Sequence, residues 1–106
     1  VEPGHKTPLD AKAKILKALA HPTRVMIVEC LAAGEKCVGE LAEKSGADFS
    51  TVSKHLLILE DAWIISGVRR GRRIFYRLEM PGAAEFTNSL TARLRESLEV
   101  KIALLK

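Results

Sequence analysis

The sequence predicts a mainly α-helical domain carrying one β-hairpin, with elements in the order α-α-α-α-β-β-α. Three observations lead there. Apolar residues recur at helical spacing in stretches opened or closed by caps, prolines and glycines. Two short runs rich in β-branched, aromatic and apolar residues, Ile64–Val68 and Ile74–Leu78, flank the tip RRGRR. Between them and the earlier helices lies ADFSTVSKHLLIL, residues 47–59, which crowds hydroxyls and a lysine into one end of a helix and its apolar residues into the rest.

The elements follow in order. Residues 1–6 are expected to be a flexible tail, and residues 7–106 a single domain. Thr7 caps the first helix, with Pro8 at its first position and Asp10 in its first turn. Leu9, Ala13, Leu16 and Ala20 line one stripe of it, with Ile15 and Leu19 alongside. His21-Pro22 breaks that helix and starts a second, largely buried one through Val25, Met26, Ile27, Val28 and Leu31, ended by Gly34. Cys37-Val38-Gly39-Glu40 opens a short third helix as a capping box with cysteine in the place of serine or threonine. Gly46 ends it, and Asp48 caps a fourth helix running to about Ala62 or Trp63. Two short helices joined by Gly46-Ala47-Asp48 read as a helix-turn-helix. Gly71 supplies the positive φ of a tight turn between the two strands. Pro81-Gly82 leads into a last helix striped by Ala83, Phe86, Leu90, Leu94 and Leu98 and extended by Ile102 and Leu105. The whole is a winged helix-turn-helix.

On a helical wheel the fourth helix puts Val52, Leu56, Leu59 and Trp63 on one side. Ser50 and Lys54 lie opposite, flanked by Thr51 and Ser53. Short donors and acceptors at such a tip read base edges in a major groove, and lysine meets phosphate or guanine. Leu57 and Ile58 also sit toward the polar side, where they could touch a wing or a sister subunit. The hairpin strengthens the reading. Arg69, Arg70, Arg72, Arg73 and Arg77 fall within nine residues, and the mutual repulsion of their guanidinium groups is relieved by phosphate. The formal net charge of +4 suits the same polyanion.

Other classes fit poorly. No run of apolar residues is long enough to span a bilayer. The N-terminus VEPGHKTPLD has no apolar signal-peptide core. Two cysteines make no disulfide framework, so a reducing cytoplasm is the expected compartment. No Ser-His-Asp, paired-carboxylate or glycine-rich phosphate pattern stands out, so an enzyme is not expected.

Three stretches, LKALAHPTRVMIVECL, CVGELAEKSGADFSTVSKHLLIL and GRRIFYRL, together resemble the ArsR/SmtB metalloregulators over roughly residues 14–80. That resemblance implies a homodimeric winged-helix repressor that leaves its operator when an effector binds. It implies that Ser50, Thr51, Ser53, Lys54 and His55 read double-stranded DNA and that Arg70 to Arg73 form the wing tip, beside Arg69. It also implies a dimer through the first and last helices, placing Leu9, Leu16, Phe86, Leu90, Leu94 and Leu98 at the interface. One departure concerns the exit from the fourth helix. The family usually has Ala-Gly there and this chain has Ala62-Trp63, with Trp63 expected to extend the helix by packing on the core.

The family's metal sites are incomplete. Its CVC pattern is Cys37-Val38-Gly39 here, and residues 83–106 contain no Asp, His or Cys for the site on the last helix. No zinc site is expected, and no cofactor is certain. Cys37, at a helix N-terminus where the dipole favours thiolate, and Cys30, late in the second helix, remain sensor candidates for a thiol-reactive signal or a soft metal or metalloid. The alternative for Cys30 is a small core residue, and for Cys37 a cap. His5 lies in the tail, His21 is expected to cap or pack, and His55 sits at the edge of the buried side. Two further readings stay open: an organic effector near the dimer helices with inert cysteines, and a winged helix used only to bind protein.

Overall fold

The structure, a computed structural model, describes residues 7–105. The expected N-terminal tail, with His5, lies outside the described residues. α1 (Pro8–Leu19) starts on a complete capping box. The Thr7 hydroxyl accepts the Asp10 N–H at 3.1 Å, and the Asp10 carboxylate accepts the Thr7 N–H at 3.1 Å. α2 (Pro22–Ala32) is capped by His21, whose Nδ1 accepts the Thr23 N–H at 3.1 Å. The Arg24 guanidinium then donates to the Ala18 carbonyl at 3.1 Å, tying the start of α2 to the end of α1.

A two-residue strand, β1 (Lys36–Cys37), leads into α3 (Val38–Ser45), where the Glu40 carboxylate accepts the Cys37 N–H at 3.0 Å. Gly46, at φ 71°, closes α3 in the left-handed region that suits glycine. α4 (Phe49–Asp61) follows, with Asp48 accepting the Thr51 N–H at 2.7 Å. β2 (Ile65–Arg70) and β3 (Arg73–Leu78) pair antiparallel across Gly71, at φ 65°. α5 (Pro81–Leu104) completes the chain.

The core forms where α2, α3 and α4 meet the base of the hairpin. Ile27, Val28, Leu41, Val52, Leu56, Leu59 and Ile64 are fully buried there. Removing a buried leucine from such a core costs about 2–5 kcal/mol, so these residues hold the helix-turn-helix angle.

Two expectations change. The hairpin is the larger part of a three-stranded sheet, ordered β1-β3-β2, in which Lys36 pairs with Tyr76 and Cys37 with Phe75. A two-residue strand has no period to read, and its pairing is supplied from elsewhere in the chain.

The second correction concerns Trp63, which neither extends α4 nor packs on the core. It is 82% exposed, with φ at 64°. Its N–H donates to the Glu60 carbonyl at 3.0 Å and the Ile64 N–H to the Leu59 carbonyl at 3.1 Å. These two bonds make a Schellman close, and Trp63 occupies the left-handed position that glycine usually fills. The wheel failed because the backbone leaves the helix at Ala62, one residue before the periodicity would have carried Trp63 inward.

Only the start of α5 is packed inside, through Ala83, Ala84 and Thr87. Phe86 among them and Leu90, Leu94 and Leu98 beyond are exposed, as are Leu9 and Leu16 on α1. The radius of gyration is 16.5 Å, against about 13 Å for a compact chain of this length. The excess reflects a long helix projecting from its own domain.

Candidate nucleic-acid interface

The N-terminal tip of α4 presents its polar residues to solvent. Ser50, Thr51 and Lys54 are exposed and Ser53 is half-buried, while Val52 and Leu56 between them are fully buried. Asp48 organises this tip. It accepts the Thr51 N–H and, at 3.2 Å, the Ser50 hydroxyl. Those bonds, Thr51's first, hold its carboxyl below the usual carboxylate range, with Lys54 adding to the effect. The cap stays ionised near neutral pH and the hydroxyls stay oriented.

Strand register divides the arginines. Side chains alternate across a strand, so pairing Arg69 with Ile74 and Gly67 with Tyr76 gathers Arg69, Ile74 and Tyr76 on one face of the hairpin. Arg70, Arg73, Phe75 and Arg77 take the other, so parity separates Arg69 from Arg70, while Arg73 reaches the cleft from the turn end of β3. Arg70 is braced there. Its guanidinium donates to both Glu35 oxygens, at 2.7 and 3.3 Å, and lies 5.3 Å from the centre of the Phe75 ring. The bond from Arg70 holds the Glu35 carboxyl below its usual range, and Glu35 in turn raises Arg70. Arg77 donates to Glu79 at 2.7 Å, and Glu79 also accepts the Ser66 hydroxyl at 2.7 Å.

Arg69, Arg72 and Arg73 have no salt bridge among the described residues. They line a cleft of about 710 Å³ between the hairpin, α3 and the tip of α4, together with Phe49, Ser53, Cys37 and the carboxylates of Glu40 and Glu43. The structure thus brings three of the arginines to the polar tip of α4 and assigns Arg70 and Arg77 to bracing the hairpin. Phe49, 60% exposed at the first position of α4, is a member that sequence reasoning missed. The available signal was a large aromatic immediately after an N-cap, where packing inside the domain is not expected.

His55 is set apart from this group. Its ring lies against His21, centroid to centroid 4.3 Å, and its Nδ1 is buried with no hydrogen-bond partner among the described residues. Burial first, then the nearby His21 and Arg24, push its pKa below the usual 6.5. A neutral imidazole there joins α4 to the α1–α2 junction.

Both cysteines are free thiols. Cys37 is 8% exposed and borders the arginine cleft. Cys30 is half-buried and borders a different concavity, beside Pro22, Met26 and Lys44. Among the described residues no group of three His, Cys, Asp or Glu side chains is placed to hold a metal ion. No helix among them is long and apolar enough to cross a membrane.

A recognition helix beside a basic hairpin, on a core of three short helices, defines a winged helix-turn-helix DNA-binding protein. Residues 21–66 match the family model described as bacterial regulatory protein, arsR family. The chain is 41% identical over 78 residues to the biofilm growth-associated repressor of Xylella fastidiosa, covering 74% of this chain and 68% of that one. It is 43% identical over 70 residues to the transcriptional repressor SmtB of Mycobacterium tuberculosis, covering 66% and 52%. The solution structure of a homodimeric winged helix-turn-helix DNA-binding domain from Mycobacterium bovis superposes with a TM-score of 0.74 at 32% identity, over 86% of this chain and 84% of that one. The chain belongs to the arsR family of transcriptional regulators and is not an enzyme.

Proposed function

We propose that two copies of this chain pair through α1 and α5 and bind an operator as a repressor. The observation that carries the reading is the meeting of the α4 tip with three guanidinium groups that have no ion pair among the described residues, around one cleft. In this arrangement Ser50, Thr51, Ser53 and Lys54 address base edges in the major groove. Phe49 supplies an apolar contact of the kind that suits a thymine methyl group. Arg69, Arg72 and Arg73 take phosphates, and Arg70 holds the wing at its angle through Glu35. His55 supports the helix from behind instead of reaching DNA.

Pairing follows from the exposed apolar stripe of Leu9, Leu16, Phe86, Leu90, Leu94 and Leu98. A monomer rarely leaves so many large apolar side chains on two helices to water, and the Mycobacterium bovis relative is a homodimer. Two-fold symmetry then predicts half-sites about 34 Å apart.

For release we assign the signal to Cys37. An adduct on its sulfur would stand in the cleft that DNA phosphates must enter. Three arginines against Glu40 and Glu43 leave that cleft net positive, which favours an anionic thiol reagent over a bare metal cation. Cys30, bordering another concavity, is not part of that site. The test is operator binding by fluorescence anisotropy, with sedimentation equilibrium for the dimer, before and after treatment with an anionic disulfide. Parent protein should release DNA on treatment and Cys37→Ser should not. A strictly monomeric chain with no affinity for duplex DNA at low salt removes the whole proposal.

A further inference from the structure

A second cleft, of about 500 Å³, lies where α1 meets the end of α4 and the residue before α5. Ala13, Ile15, Ala62 and Met80 give it apolar walls, and the Trp63 indole borders it. Its volume falls within the range of small-molecule sites, and apolar walls with a few polar groups at the rim are their usual make-up.

Trp63 is the informative residue. Its backbone is left-handed, a conformation disfavoured for a bulky side chain, and its indole is 82% exposed. The fold therefore gains little from tryptophan at a position where glycine would relax the backbone. Strain of this kind concentrates at binding sites, and an open indole face is a platform for a planar apolar group.

The charges at the rim select the rest of the ligand. The Lys14 ammonium is held by Asp61 at 3.0 Å. The Asp10 carboxylate is committed to the Thr7 cap. Lys17, also on the rim, has no salt bridge among the described residues. The uncommitted charge is positive. Asp10, Lys14 and Lys17 share one face of α1 by their spacing and Leu9 and Leu16 lie on another, with Ala13 the one cleft wall that the leucine stripe shares.

We infer that the cleft between α1 and Trp63 binds a small aromatic carboxylate, the ring against the indole and the carboxylate on Lys17. This deepens the regulatory reading, on which its effect on DNA rests. A molecule wedged there bears on Ala62, where the recognition helix ends, and on Met80, where α5 begins.

Phenylacetate is the probe, with phenylacetamide as its uncharged counterpart, added to the full chain without DNA. Trp63 is the single tryptophan, so its emission reports the site directly. Phenylacetate should change that emission saturably. Lys17→Met should weaken phenylacetate by about tenfold, the loss of one charge-assisted hydrogen bond, and leave phenylacetamide unchanged. Trp63→Gly should stay folded and lose phenylacetate binding, measured by calorimetry. No saturable change, equal affinity in Lys17→Met, or undiminished binding to Trp63→Gly each overturns the proposal. A chain that binds duplex DNA but not phenylacetate rejects this site and leaves the DNA-binding reading standing. One that binds phenylacetate but no duplex does the reverse.

Discussion

Replacing Arg69, Arg72 and Arg73 together by alanine should flatten the salt dependence of DNA binding, and the amount can be worked out. Each phosphate contact contributes about 0.9 to the slope of log affinity against log salt. Three contacts give about 2.7 for one protomer and about 5 for a symmetric pair. Between about 50 and 200 mM salt, that slope costs the parent about 40-fold in affinity per protomer beyond what the variant loses. The three side chains are exposed and make no ion pair among the described residues, so their removal should leave the fold intact. The assay is anisotropy of a labelled operator duplex across a salt series, with circular dichroism as the folding control. Arg70→Ala is the contrast. It frees Glu35 and the Phe75 ring rather than a phosphate, so it should weaken binding with a smaller change in slope. Equal slopes for the triple variant and the parent would refute the division of arginines drawn from the cleft lining and the ion pairs. So would an Arg70→Ala slope change as large as that of any single cleft arginine.

Further outcomes are expected. Trp63→Gly should melt above Trp63→Ala, because glycine relieves a left-handed penalty of about 1–2 kcal/mol that alanine retains; differential scanning calorimetry would read the order. Leu90→Glu with Leu94→Glu should dissociate the dimer by sedimentation equilibrium and weaken operator binding without melting the monomer, since both side chains are exposed. Stability should fall as pH drops below about 6.5. His55 has a depressed pKa in the fold, so below the unfolded value the unfolded chain binds more protons. Its contribution is complete above that value and is lost down to the folded one. Urea midpoints of the parent should therefore decline through this window more steeply than those of His55→Gln. Lys54→Ala should change the preferred operator sequence as well as the affinity, read by selection from a randomised duplex pool.

Much of the architecture was legible in short-range chemistry. Thr7, Asp48, Gly46 and Gly71 announce their caps and turns because the backbone geometry they satisfy is local. The buried set of Val52, Leu56 and Leu59 follows from the 3.6-residue period alone. The hydroxyl-rich tip of α4 and the exposed stripes of α1 and α5 were readable for the same reason. Harder features depended on partners far along the chain. β1 exists because β3 lies beside it. Arg70 and Arg69 are neighbours of the same type, and only the pairing of β2 with β3 sends one to Glu35 and the other to the cleft.

Sequence by itself therefore determined which elements form, where they stop and which faces are apolar, since caps, turns and periodicity act within a few residues. Tertiary structure alone decided which arginines are held by carboxylates and which line the cleft, that His55 turns back to His21, and that Trp63 stands outside the core in a left-handed bend. Those outcomes depend on strand parity, on ring contacts between helices and on the single residue at which a helix unwinds. A shift of one position reverses the direction of a side chain, and only the packed neighbours select among the positions.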